Sequence, residues 1–246
     1  MRPNGFGYIR RRGYRPRLDC RWAGLDVIDV SRYDAKEDAD ALGEVRLLQS
    51  LGLDANSTVL DLGARIGQFT LAVARICSRV VAADVSPVMQ ERLAGKVEAS
   101  GHGNIEYVSV GFLTYQHSRE PVDFAYSRYA PHHLPDFWNA LALVRLAGFM
   151  RPGAVLRLWD VVYSFQPAEA EERIESRCAT GGSDMETDWS RAALEEHVRD
   201  EHSTFTWLLE PIIERAGFRI DDADTGGGHT NSKLNRLDDP AKTGTC

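Results

Sequence analysis

At 246 residues the chain is long enough for one substantial α/β domain with appendages, and its 43% hydrophobic and 26% charged residues are ordinary for a globular protein. The net charge of −7 conceals an asymmetry: residues 1 to 21 hold seven arginines against one acid, leaving 22 of the 29 basic and 35 of the 36 acidic residues for the rest. No apolar run approaches twenty residues and none follows Arg10 to Arg12, which excludes a transmembrane helix and argues against a secretory signal.

Residues 1–33 read as an irregular basic arm in which Tyr8 and Tyr14 lie among the arginines. Such an arm could touch phosphate, but the acidic body argues against nucleic acid as the main substrate. Four cysteines at 20, 77, 178 and 246 show neither metal-ligand spacing nor a disulfide framework, so no metal site is expected and a reducing cytoplasm fits. From about 34 to 52 the spacing of Ala41, Leu42, Val45, Leu48 and Leu51 predicts a helix. Thr58-Val59-Leu60 then runs apolar into Asp61, with Gly63 and Gly67 beyond it and the amphipathic run Phe69, Leu71, Ala72, Val73, Ile76 after them. This is the pattern of a buried strand, a tight loop and a helix over 67–78. Glycine lets a backbone approach a bound molecule closely, so the loop points to a ligand. The loop has no closing Gly-Lys-Ser/Thr for a nucleotide phosphate and no Gly-x-Gly-x-x-Gly for a dinucleotide.

A second apolar run over 80–83 ends in Asp84, a carboxylate placed to accept from two ribose hydroxyls, and Val85 offers an apolar face to an adenine ring. Ser86 and Pro87 suit the N-cap and first position of a helix over 87–100. Strands over 105–109, 122–127 and 154–162 and a helix over 136–149 continue the alternation. That alternation predicts an α/β fold, a doubly wound, mostly parallel sheet with helices on both faces. Ligands of such sheets bind beyond the C-terminal strand ends, where Asp61, Asp84 and Ser127 fall. Residues 167–216 interrupt the pattern with helices broken at Gly181-Gly182, Ser203 and Pro211, and form a candidate substrate lid.

The run Asp61-x-Gly63-x-x-x-Gly67, followed by Val81-Ala82-Ala83-Asp84-Val85-Ser86-Pro87, resembles the class I S-adenosylmethionine-dependent methyltransferases. The likeness extends from about 40 to 222, through Gly111-Phe112-Leu113-Thr114, His132-His133-Leu134-Pro135, Met150-Arg151-Pro152-Gly153 and Glu214-Arg215-Ala216-Gly217-Phe218. It implies a Rossmann-like methyltransferase domain over 34–222. It also implies S-adenosylmethionine as cofactor, held by Asp61, Gly63, Gly67, Asp84, Val85, Phe112 and Ser127. The His-His-Leu segment is similar to one in small-molecule methyltransferases. His132 and His133, just past the fourth strand, are therefore the candidate catalytic residues for an O- or N-acceptor that must lose a proton. Capping or lining is the plainer reading of the pair. Trp159 and Asp160 are placed to line an acceptor pocket. The Asn/Asp-Pro-Pro run of adenine-N6 enzymes and the Pro-Cys of cytosine-C5 enzymes are absent.

Two departures stand out. Arg65 occupies the position of the family's middle loop glycine, and a positive φ there costs about 1 kcal/mol. Its side chain has three courses: out to solvent, into the methionine site, or onto the cofactor's carboxylate. If it obstructs binding, the chain is a non-catalytic relative of the fold. At the other end, residues 223–246 are polar and contain no legible strand. A disordered tail is expected, with a sheet of six strands lacking the family's antiparallel seventh, and an under-covered sixth strand available for a homodimer.

Overall fold

The computed structural model describes residues 41–180, 191–226 and 229–236; the basic arm, the predicted helix start over 34–40 and the Gly181-Gly182 break lie outside them. Helix α1 (Ala41–Ser50) leads into β1 (Thr58–Leu62), α2 (Gln68–Val73), β2 (Arg79–Asp84), α3 (Pro87–Ser100), β3 (Ile105–Ser109) and β4 (Val122–Arg128). A 3-10 turn at Pro131–His133 precedes α4 (Asp136–Phe149) and β5 (Met150–Asp160).

Side chains that alternate along these strands build the two cores. Val59, Val80, Phe124 and Val155 face Val45 and Leu48 of α1 and Phe69 and Val73 of α2. Their neighbours Leu60, Val81, Ala125 and Leu156 face Leu143 and Leu146 of α4 on the other side. A period of two thus assigns adjacent apolar residues to opposite faces, which is why these strands read as unbroken hydrophobic runs. The cap of α3 is as expected: the Ser86 hydroxyl accepts from the Met89 N–H at 3.4 Å, Pro87 opens the helix and Gly101 closes it at φ 70°.

The insertion comprises β6 (Val162–Tyr163), a 3-10 turn at Pro167–Glu169, α5 (Ala170–Thr180), α6 (Arg191–Asp200) and β7 (Thr204–Phe205), the two short strands pairing in parallel. Helix α7 (Thr206–Arg215) keeps Pro211 inside it and sends Leu209 and Ile213 into the main core, so it belongs to the sheet rather than to the insertion. Strand β8 (Phe218–Gly226) follows, then β9 (His229–Arg236).

The α/β doubly wound class is as predicted, but the strand count is corrected, as is the tail as far as Arg236; residues 237–246 lie outside the described residues. The sheet has seven strands in the order β3-β2-β1-β4-β5-β9-β8, and β9 is the antiparallel strand that was expected to be missing. It pairs from Thr230 to Asn235 with β5 and from His229 to Arg236 with β8. Leu234 is its one large aliphatic residue. Backbone pairing on both sides satisfies its N–H and C=O groups whatever the side chains are, so a polar sequence forms a strand that side-chain propensity does not reveal. Among the described residues no helix is long and apolar enough to cross a membrane.

Candidate active site

The loop between β1 and α2 is fastened by its backbone. The N–H groups of Gly63 and Ala64 both donate to the Ala83 carbonyl, at 2.8 and 3.1 Å, and the Gly67 N–H donates to Ala64. Gly63 and Gly67 have φ of 78° and 80°. A Cβ on Gly63 would lie 2.5 Å from that of Ala130, and one on Gly67 would collide with Leu93. The two glycines therefore let the loops after β1 and β4 close on each other and let α3 pack beneath. Asp61 is buried and accepts from the Thr70 hydroxyl at 2.5 Å, tying β1 to α2. Ser127, fully buried, donates to the Leu62 carbonyl at 2.8 Å and ties β4 to β1.

Asp84 ends β2 with one oxygen accepting from the Arg65 N–H and the other from the Ser86 N–H, both at 2.8 Å. Burial pushes this carboxyl up from its ordinary range, against the pull of those N–H groups and the Arg65 charge. Each carboxylate oxygen has a second lone pair, so two acceptor positions remain for a ribose diol beside half-buried Val85. Phe112, on the loop after β3, packs partly buried against the core. The residues at the ends of β1, β2 and β4 thus fit the nucleoside of S-adenosylmethionine. The structure gathers Asp61, Gly63, Gly67, Asp84 and Ser127 at one end of the sheet as predicted, although Asp61 and Ser127 spend hydrogen bonds on the scaffold.

Arg65 adopts the left-handed conformation, φ 51°, and crosses the cleft. Its guanidinium reaches the Tyr129 carbonyl at 3.5 Å and lies 5.9 Å from that ring. Tyr129 is the other described non-glycine residue at positive φ, 49°. The two strained residues face each other across the gap between the loops after β1 and β4.

Beyond the ends of β4 and β5 a second cluster is built from side chains. His132 is 6% exposed, and its Nδ1 pairs with the buried Asp160 at the end of β5, which also accepts from the Val161 N–H. An ionised carboxylate only accepts, so Nδ1 donates to Asp160 and Nε2 is the ring nitrogen that faces away from it. That Nε2 faces a Glu201 carboxylate oxygen at 3.9 Å, and the same oxygen is 2.5 Å from Nδ1 of His133. Burial pushes the His133 imidazolium pKa down despite its bond to Glu201. Burial raises Glu201, but the hydrogen bond from His133 and the neighbouring imidazoles outweigh it and hold the carboxyl below its usual range. The His197 ring lies tilted at 58° to that of His132, 5.2 Å between centroids; it bonds the Ser203 hydroxyl at 2.9 Å and is pushed down to about 4, chiefly by burial.

Trp159 and Asp160, expected together at the pocket, part company: Trp159 Nε1 donates to Glu44 at 3.0 Å on the far face, while Asp160 turns to His132. Glu201 and His197 escape sequence reasoning because they stand 68 residues from His133 and 65 from His132 along the chain. Their only local signal is the i, i+4 spacing between His197 on α6 and Glu201 just past its end. The cluster adjoins a cavity of about 450 Å³ between β6, α5 and α6, whose lining includes Tyr163, Phe165, Arg173, Arg177, Leu194 and His197.

A family model described as a methyltransferase domain matches residues 59–153. An uncharacterized methyltransferase of Geobacillus kaustophilus is 27% identical over 199 residues, spanning 80% of this chain and 86% of that protein. In three dimensions the chain resembles an S-adenosylmethionine-dependent methyltransferase of Aquifex aeolicus at TM-score 0.59 and 20% identity, over 85% of this chain and 99% of that one. It also resembles the N-methyltransferase NodS of Bradyrhizobium japonicum, solved with S-adenosylhomocysteine, at TM-score 0.56 and 17% identity, over 89% and 96%. The order of its motifs, the sheet topology and these likenesses support a class I S-adenosylmethionine-dependent methyltransferase.

Proposed function

We propose that this methyltransferase acts on a small-molecule acceptor at oxygen or nitrogen, with the cofactor nucleoside at Asp84, Val85 and Phe112 and with His132 and His133 at the acceptor atom. S-adenosylmethionine, when bound, supplies the methyl group on an electrophilic sulfonium. Transfer to an acceptor is an in-line displacement, so the protein's task is alignment and care of the acceptor's proton. The observation that carries the reading is the buried Asp160–His132 pair, which aims Nε2 at the same point as His133 and Glu201, just past the ends of β4 and β5. The adjoining cavity of about 450 Å³ has the size of a small-molecule pocket and is lined by aromatic rings and cationic side chains. NodS, an N-methyltransferase, shares the fold and supports nitrogen as one acceptor. A reducing cytoplasm suits the free, buried Cys77 and Cys178, and β8, the outer strand, is the surface the expected homodimer would use.

The test is calorimetric titration of S-adenosylhomocysteine followed by tritium transfer from labelled S-adenosylmethionine to a panel of small phenols, hydroxy acids and amines. Micromolar binding with transfer to one acceptor class, lost in His132→Ala, supports the reading. Transfer that persists in His132→Ala and His133→Ala would remove both from the acceptor site, and transfer only to RNA or protein would overturn the small-molecule assignment.

A further inference from the structure

We propose that His132, His133 and Glu201 form a binding site for one divalent transition-metal ion of borderline softness, zinc or a relative. It goes beyond the methyl-transfer reading, because the site stands on side-chain geometry alone. Among the described residues this group brings three candidate ligand atoms within 4.8 Å of one another: Nε2 of His132, Nδ1 of His133 and a Glu201 carboxylate oxygen. Two imidazoles and one carboxylate are the donor set of three-ligand zinc sites, which leave a fourth position open; magnesium and calcium prefer oxygen alone.

The Asp160 carboxylate supplies a second, independent indication. A metal-bound histidine typically gives its other ring N–H to a carboxylate, which fixes the tautomer and raises the donor strength of the ligating nitrogen. His132 does this through Nδ1 with Asp160, both groups buried, and the nitrogen left to bind is the one facing Glu201. The distances fit a small adjustment. Ligands of a tetrahedral zinc ion stand roughly 3.4 Å apart, given bonds near 2.1 Å. Closing the 3.9 Å His132–Glu201 gap and opening the 2.5 Å His133–Glu201 contact to that spacing needs sub-ångström movements of a half-buried carboxylate. The ion takes the place of the His133–Glu201 hydrogen bond. The main chain already braces the ligands, since the His202 N–H donates to the His132 carbonyl at 2.8 Å. The open position is where the acceptor oxygen or nitrogen would stand, and a cation there would lower the cost of removing the acceptor's proton.

The experiment uses the full chain, stripped with a chelator, dialysed and titrated with cobalt(II), whose visible absorption reports a tetrahedral site of imidazole and carboxylate. Expected are one cobalt per chain with an intense visible band, displacement by one zinc equivalent, and loss of the band in Glu201→Gln. That variant keeps the shape and can still accept from His133, and an unchanged melting curve shows that it folds. Asp160→Asn weakens uptake roughly tenfold to a hundredfold while retaining the ligands. Absence of a saturable band, or an undiminished band in folded Glu201→Gln, overturns the proposal. No cofactor or acceptor is present, so failure here leaves methyl transfer to be judged by its own assay.

Discussion

Where α1 packs on the sheet, Glu44 is 5% exposed and its carboxylate holds the guanidinium of Arg157 at 2.9 and 3.2 Å and the indole N–H of Trp159 at 3.0 Å. In the insertion, Arg191 holds Glu175 and Glu195 at the same 2.8 Å, yet its side chain is 48% exposed and those of its partners more so. The longer contacts carry the greater weight, because water screens the second set and not the first. The sheet also owns the large apolar clusters, while α5 and α6 contribute to burial mainly Cys178, Leu194 and His197. Stability therefore resides in the sheet. The insertion is tied to it by a few contacts at the proposed acceptor site: His202 to His132, Glu201 to His133, and, close by, the Thr204 hydroxyl to Asp136.

The largest effect expected from this contrast is at Glu44. Removing it in Glu44→Ala leaves Arg157 charged and buried, which costs about 3–5 kcal/mol. Urea unfolding would show it; a loss near zero would mean that the pair is as screened as those on the surface. Next comes Gly63→Ala. A methyl group 2.5 Å from the Ala130 Cβ and a left-handed backbone together cost about 2–4 kcal/mol, by overpacking and by strain. A near-neutral result would show that the loops after β1 and β4 can part freely.

The same contrast explains what the sequence revealed. Asp61, Gly63, Gly67 and Asp84 come from two neighbouring strand ends close together in the sequence and are held largely by bonds within that stretch, so their spacing is legible. His132 and His133 were visible as residue types, but their environment was not, since Asp160 and Glu201 arrive from 28 and 68 residues away. Strand β9 was illegible for a related reason. Its position between β5 and β8 is set by ladders on both sides, not by apolar side chains of its own. The course of Arg65 depends on Tyr129, across the cleft, and could not be chosen among three from the sequence.

On the cofactor side, Asp84→Asn should weaken S-adenosylhomocysteine roughly tenfold to a hundredfold, the worth of hydrogen bonds to a charged acceptor. Burial raises the Asp84 carboxyl, so on acidification it gains its proton at a higher pH than an exposed carboxylate would. Binding that needs the ionised form is full above that pKa and lost below it, and the loss begins earlier than for an ordinary aspartate. Affinity measured across mildly acidic pH, with Asp84→Asn as the flat control, checks the sign. Arg65→Gly should stabilise the protein by about 0.5–1 kcal/mol, since glycine accepts φ 51° without strain but loses more chain entropy. Tighter cofactor binding in the same variant would show that the guanidinium crosses the path of the ligand; weaker binding would show that it serves it.

The smallest effect is expected at Arg191→Ala, and it bears most directly on the comparison. This arginine links α6 to α5 through Glu175 and to its own helix through Glu195, three groups that all stand largely in water. Exposed pairs spend side-chain entropy for a Coulomb gain that salt screens, so the melting temperature of the whole chain should not move. What should move is local: faster amide exchange along α5 and α6, with β1, β4 and β5 unchanged, because the helices lose their link while the sheet keeps its cores. A drop in the global melting temperature comparable to that of Glu44→Ala would mean that insertion and sheet unfold as one unit. In that event the acceptor site would be part of a common core rather than the seam between a rigid sheet and a lightly held cover.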